Sequence, residues 1–146
     1  MKAMGFALAL GIAIVGQVLY QVTQKTVHAE AHPVLALIAF YLVAAALSLP
    51  LFFLFPLQGS LSAGIGQLNA SVLGVAVSIV LIELGFLLAY RAGGSLSSTY
   101  VLSASVVACV VLVLGAAFFK EAITVSKLAG IGLCFSGIWL LTRPAA

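Results

Sequence analysis

The residues able to do chemistry are few, and most of them sit inside apolar stretches. Foremost is Glu83, in the middle of "SIVLIELGFLLAY" from Ser78 to Tyr90. A charge at the centre of a bilayer is unfavourable by roughly 2.5–3.5 kcal/mol on insertion scales, so an acid there requires a reason. On a helix its face runs through Ala76, Ile79, Leu87 and Tyr90. A carboxyl so placed is expected to rest neutral and to hydrogen-bond across helices, with Gln17 or Gln21 as partners. Two readings stand: a protonated Glu that holds helices together, or an intramembrane acid that exchanges a proton for a substrate or its amine.

Three further patches carry polar or small groups. In "GQVLYQVTQK", Gln17, Gln21 and Gln24 follow spacings of four and three, which puts them on one helix face beside Tyr20. Amides in hydrocarbon need partners; they either bond a neighbouring helix or line a water-filled cavity, the stripe deepening from Gln24 to Gln17. In "SLSSTYVLSAS", Thr99, Tyr100 and Ser103 form a second patch. Ser and Thr can satisfy carbonyls of their own helix, and Tyr100 also suits an interfacial aromatic belt. In "GIGLCFSGIWLL", Gly130, Cys134 and Gly137 share a face, and Gly132 and Ser136 make a small-xxx-small pair. Such faces let helices approach closely, within the chain or at a dimer seam.

Other groups read more plainly. "HAEAH" sets His28 and His32 four apart around Glu30, a spacing that can begin a metal site. Without a third ligand it reads as a solvated interfacial pair. Cys109 and Cys134 lie within apolar spans, where free thiols behave as small apolar residues. No metal or cofactor is expected. No nucleophile–base pair or phosphate loop is visible, which argues against an enzyme.

The elements that must position these groups are membrane helices. The chain has 146 residues, of which 64% are hydrophobic and 6% charged, and a mean hydropathy of +1.33; a soluble domain carries about a quarter charged residues. Its three acids are Glu30, Glu83 and Glu121, and its six basic residues are scattered, unlike a nucleic-acid patch. Apolar stretches long enough to cross hydrocarbon, which takes about 20 helical residues, predict five spans near residues 4–24, 33–55, 72–90, 98–119 and 126–142. They form a single transmembrane domain over 1–146. Pro33 suits a helix first turn, Asn69 or Ser71 and Thr124 or Ser126 are available as caps, "RAGGS" is a breaker, and Pro50 should kink or end the second span. The first apolar stretch is too long and too rich in Gln for a cleaved leader. Asn69-Ala70-Ser71 fits a glycosylation sequon but reads as a helix start.

Five spans place Lys2, Lys120 and Lys127 on one side and Lys25, Arg91 and Arg143 on the other. A fixed orientation normally shows a Lys/Arg excess on the cytoplasmic side. The even count reads as a weak signal from a short chain, as one mis-set span boundary, or as dual topology. In the last case copies insert both ways round and pair antiparallel, giving ten helices on the inverted-repeat plan of many transporters.

The run "GGSLSSTYVLSASVVACVVLVLGAAFFKEAITVSKLAGIGLCFSGIWLL", Gly93–Leu141, resembles the end of a drug/metabolite transporter unit. Its marks are the polar, Tyr-containing helix start, the Lys120-Glu121 loop, and the small-residue pattern at Gly130, Leu133 and Gly137. The five-span count looks like one half of a ten-helix EamA-like member. The chain is also similar to the four-helix small multidrug resistance proteins with an extra second span. That resemblance implies a first-helix site for proton and cationic drug at Gln17, where a titrating Glu is replaced by an amide. It implies a substrate-contacting Tyr at Tyr100, with Ser103 in place of a nearby Trp. Glu83 has no counterpart in the pattern.

Together these point to an all-α, multi-pass protein of the plasma (inner) membrane. The first expectation is a secondary transporter exporting a metabolite or amphipathic compound, proton-coupled through Glu83, with Gln17, Gln21, Tyr20, Tyr90, Tyr100 and Ser103 along the pathway. Its partners would be the lipid bilayer, a small-molecule substrate, protons, and a second copy or a paralogue. The alternatives are a lipid-linked sugar flippase, or a subunit of one, and a non-transporting membrane scaffold.

Overall fold

A computed structural model describes residues 2–141, with side chains placed for residues 5–140. The expected span end at Thr142 and the charge of Arg143 lie outside the described residues. The described residues form helices α1 (Lys2–Lys25), α2 (Pro33–Ser48), α3 (Leu61–Gly66), α4 (Ser71–Arg91), α5 (Leu96–Phe119) and α6 (Val125–Leu141), with a 3-10 segment at Leu49–Phe53. No strand occurs among them.

Among the described residues, four stretches are long and apolar enough to cross a membrane: Gly5–Lys25, Pro33–Phe53, Ser71–Arg91 and Leu96–Phe119. The helix α6 is shorter, at 17 residues. Burial agrees with lipid as the solvent. Among the described residues, the buried hydrophobic ones are Leu37, Leu87, Tyr90 and Ile138, whereas Gln21, Gln24 and Ser105 are buried polar ones. Phe53 is 91% exposed and Phe119 77%. Water would disfavour such a distribution; hydrocarbon favours it, because there the polar groups must turn inward. The chain is therefore read as a multi-pass membrane protein.

Local chemistry sets the helix ends. Pro33 occupies the first turn of α2, where its missing N–H is no loss. At Pro50 the α-helix gives way: the Leu49 N–H bonds the Ala46 carbonyl and a 3-10 segment follows. Asn69 Oδ1 accepts from the Ser71 N–H at 3.0 Å and so prepares α4. The Ser95 hydroxyl accepts from the Ser98 N–H at 3.1 Å at the start of α5, after Gly93 has turned the chain with φ +92°. At the start of α6, Thr124 Oγ1 accepts from the Lys127 N–H at 3.3 Å. The short helix α3 was not expected. Ser60 caps it by accepting from the Ala63 N–H at 3.3 Å.

Packing divides the chain into two units, one built from α1, α5 and α6 and the other from the segment Thr26–Arg91. In the first, α1 and α6 each pack on α5; in the second, α2 packs on α4.

Candidate functional site

In the first unit, the polar stripe of α1 and the polar start of α5 meet. The Tyr100 hydroxyl donates to Gln17 Oε1 at 2.8 Å. A cavity of about 290 Å³ opens here. Its apolar walls are Ile14, Val18 and Val22 of α1 and Leu96 and Val101 of α5. Its polar lining is Gln17, Gln21, Ser97 and Tyr100. Ser95 capping fixes the first turn of α5 and hence the register that brings Ser97 and Tyr100 to α1. Beyond the groove, Lys25 Nζ donates to the Gly94 carbonyl at 3.1 Å, tying the end of α1 to the loop that feeds α5.

Three of the sequence-derived pathway residues, Gln17, Gln21 and Tyr100, thus share one groove. Tyr20 and Ser103 lie outside its lining. The Ser103 hydroxyl donates to the Tyr100 carbonyl of its own helix at 2.9 Å, and Thr23 does the same to Leu19 at 2.7 Å. Burial along the stripe runs from Gln24 (4% exposed) and Gln21 (6%) to an exposed Gln17. Its most enclosed end is therefore the end nearest the helix terminus.

The second unit holds Glu83 and Tyr90. Glu83 is half-buried near the middle of the 21-residue α4. The helix α2, which packs on α4, carries Tyr41. The Tyr41 hydroxyl is buried and makes no hydrogen bond among the described residues. Tyr90 is buried and stacks on Phe86 with ring centroids 6.0 Å apart. At the end of α4, Arg91 Nη2 donates to the Ala31 carbonyl at 2.7 Å and reaches the His28 carbonyl at 3.4 Å. The guanidinium therefore clamps the turn before α2. His28 Nδ1 accepts from the Glu30 N–H at 3.2 Å, within that same turn.

The helix α6 carries the small-residue face. A side-chain carbon added at Gly130, Gly132 or Gly137 would meet nothing within 4 Å, and Cys134 is exposed. Within one chain this face has open space beside it. The turn into α6 is tighter. Lys120 adopts φ +54°, and both its N–H and that of Glu121 bond the Gly115 carbonyl. The Glu121 carboxylate folds over Gly115, where an added Cβ would come within 3.2 Å of Oε2. Lys127 Nζ stands 3.6 Å from that oxygen.

Sequence reasoning missed Tyr41, Ser97 and the Arg91 clamp. A phenol in the middle of an apolar run was the available signal for Tyr41, since a buried Tyr hydroxyl normally requires a partner. Ser97 stands one turn before Tyr100, on the same face. Nothing local marks Arg91 as a clamp, because its partners are main-chain carbonyls some 60 positions away.

No known protein family, no curated protein and no solved structure matches this chain.

Proposed function

We propose that the chain is a small secondary transporter of the drug/metabolite type, exporting a metabolite or amphipathic compound across the plasma (inner) membrane. In this reading α6 is a fifth span and two copies pair antiparallel into a ten-helix transporter. The observation that carries the proposal is the groove between α1 and α5. It has hydrocarbon walls and a few convergent polar groups, at a volume near the lower end of ligand pockets, roughly 300–1,000 Å³. The even distribution of Lys and Arg supports the antiparallel pairing, as does the uncovered small-residue face of α6. Glu83 is the proposed proton carrier, being the one acid within a span.

The test is flux in proteoliposomes. A panel of fluorescent amphiphiles should show saturable, protein-dependent efflux that Tyr100→Trp, which fills the groove, abolishes. Flux equal to that of empty liposomes, or unchanged in Tyr100→Trp, refutes the transporter reading. The substitution Glu83→Gln keeps shape and hydrogen bonding but cannot titrate. It should leave the fold intact and remove pH-driven uptake; wild-type transport by this variant from pH 6 to 9 removes Glu83 from coupling. Reporter fusions at both termini should label from both sides of the membrane; labelling from one side only ends the dual-topology proposal.

A further inference from the structure

The groove between α1 and α5 is unusual in its charge. None of its lining residues carries a formal charge, and neither helix contains an acid anywhere along its sequence. The nearest charge on α1 is positive: Lys25 lies one turn beyond Gln21 on the same face. Its ammonium is anchored to the Gly94 carbonyl. The nearest acid of this unit in sequence is Glu121, beyond the far end of α5. Its carboxylate folds back over Gly115, 15 residues or about 22 Å along α5 from Tyr100, and already stands beside Lys127. A cation held in this groove would have no counter-ion from its own unit and an ammonium at one end.

The polar groups suit a different ligand. The Gln17 oxygen is taken by Tyr100, but the Gln17 amide nitrogen and the Ser97 hydroxyl make no hydrogen bonds among the described residues. Both residues line the cavity. An amide and a hydroxyl recognise a carbonyl or an alcohol, while the Ile, Val and Leu walls take a hydrocarbon body.

We infer that the groove between α1 and α5 binds an uncharged amphiphile, a hydrocarbon body with a single carbonyl or hydroxyl head, and rejects organic cations. The inference deepens the transporter reading and rests on the groove being its substrate site. An unpaired cation loses its hydration without compensation there, whereas a neutral head exchanges water for Gln17 and Ser97.

The test uses the full chain in lipid nanodiscs and two photoreactive probes with the same eight-carbon diazirine tail. One carries an N-methylamide head and the other a trimethylammonium head. The amide probe should label segments 14–22 and 96–101, with excess octanamide competing saturably. The ammonium probe should label them at least about tenfold less. Gln17→Leu should cut amide labelling severalfold, the size of one lost hydrogen bond. Lys25→Glu should raise ammonium labelling and leave amide labelling unchanged, which keeps the test independent of how Gln17→Leu folds. Equal or stronger labelling by the ammonium probe overturns the inference. So does unsaturable amide labelling, or a second copy cross-linked across the groove. If the cation labels the groove and flux is still blocked by Tyr100→Trp, the inference alone fails. If neither probe labels the groove and flux ignores Tyr100→Trp, the transporter reading fails with it.

Discussion

The bond between Tyr100 and Gln17, two residues that line the groove, joins α1 to α5, and its strength can be worked out in advance. Tyr100→Phe removes the hydroxyl and keeps the ring. Hydrogen bonds between membrane helices are worth about 0.6 kcal/mol on average and up to roughly 1.7. At 2.8 Å the geometry is good, but Gln17 is exposed to the groove and can find water when Tyr100 leaves. The loss should therefore be about 0.5–1 kcal/mol. Gln17→Leu is a poorer single measure. It loses the same bond but replaces an amide with hydrocarbon beside Ile14 and Val18, and its net effect should be close to zero. The pair is best read as a double-mutant cycle, followed by helical circular dichroism during SDS titration in mixed micelles. A coupling near 0.6 kcal/mol is expected. Additivity within about 0.3 kcal/mol refutes the claim that this bond joins the two helices.

Three other substitutions test the frame around the groove and the two units. Arg91→Ala should release the 28–31 turn, cost about 1 kcal/mol as a half-buried charge-assisted clamp, and speed hydrogen exchange at Ala31; unchanged exchange there would remove the clamp. Lys120→Val puts a β-branched residue at φ +54° and should lower stability by about 1–2 kcal/mol in the same SDS titration; wild-type stability would contradict that turn. Gly115→Ala should change stability by less than about 0.5 kcal/mol, because the Glu121 side chain it meets is exposed and can swing away. A loss of more than 1 kcal/mol, on the order of a buried-site effect, would mean the carboxylate is held in place.

The helices were legible because membrane crossing imposes a length and a composition that single residues cannot disguise. Pro33, Pro50, Asn69 and Thr124 marked their ends by local chemistry, and each acts where its type requires; at the start of α5 the sequence showed a breaker but not that Ser95 is the cap. Helix α3 escaped because six residues give no periodicity, and only the Ser60 cap announces it. The groove was half legible. Period placed Gln17 and Gln21 on one face and put Tyr100 in a separate polar patch. Nothing local could show that residues 83 positions apart share a bond. The hydroxyls divide similarly. Ser103, like Ser78 and Ser136, bonds a carbonyl of its own helix, an outcome composition cannot distinguish from a pathway. Depth along a span misled for the glutamines, because burial follows neighbouring helices. The face of Gly130, Cys134 and Gly137 was visible as a face, but period does not say what covers it.

The 3-10 segment after α2 has one further consequence. The stretch Pro33–Phe53 has 21 residues, 16 of them in α2 and five in the 3-10 segment. A 3-10 residue rises about 2.0 Å against about 1.5 Å for an α-helical one, so the stretch reaches about 34 Å where an unbroken α-helix would reach about 32 Å. Pro50 thus lengthens this crossing without adding a residue. Against roughly 30 Å of hydrocarbon, the added reach must be taken up by tilt or by a locally thicker bilayer.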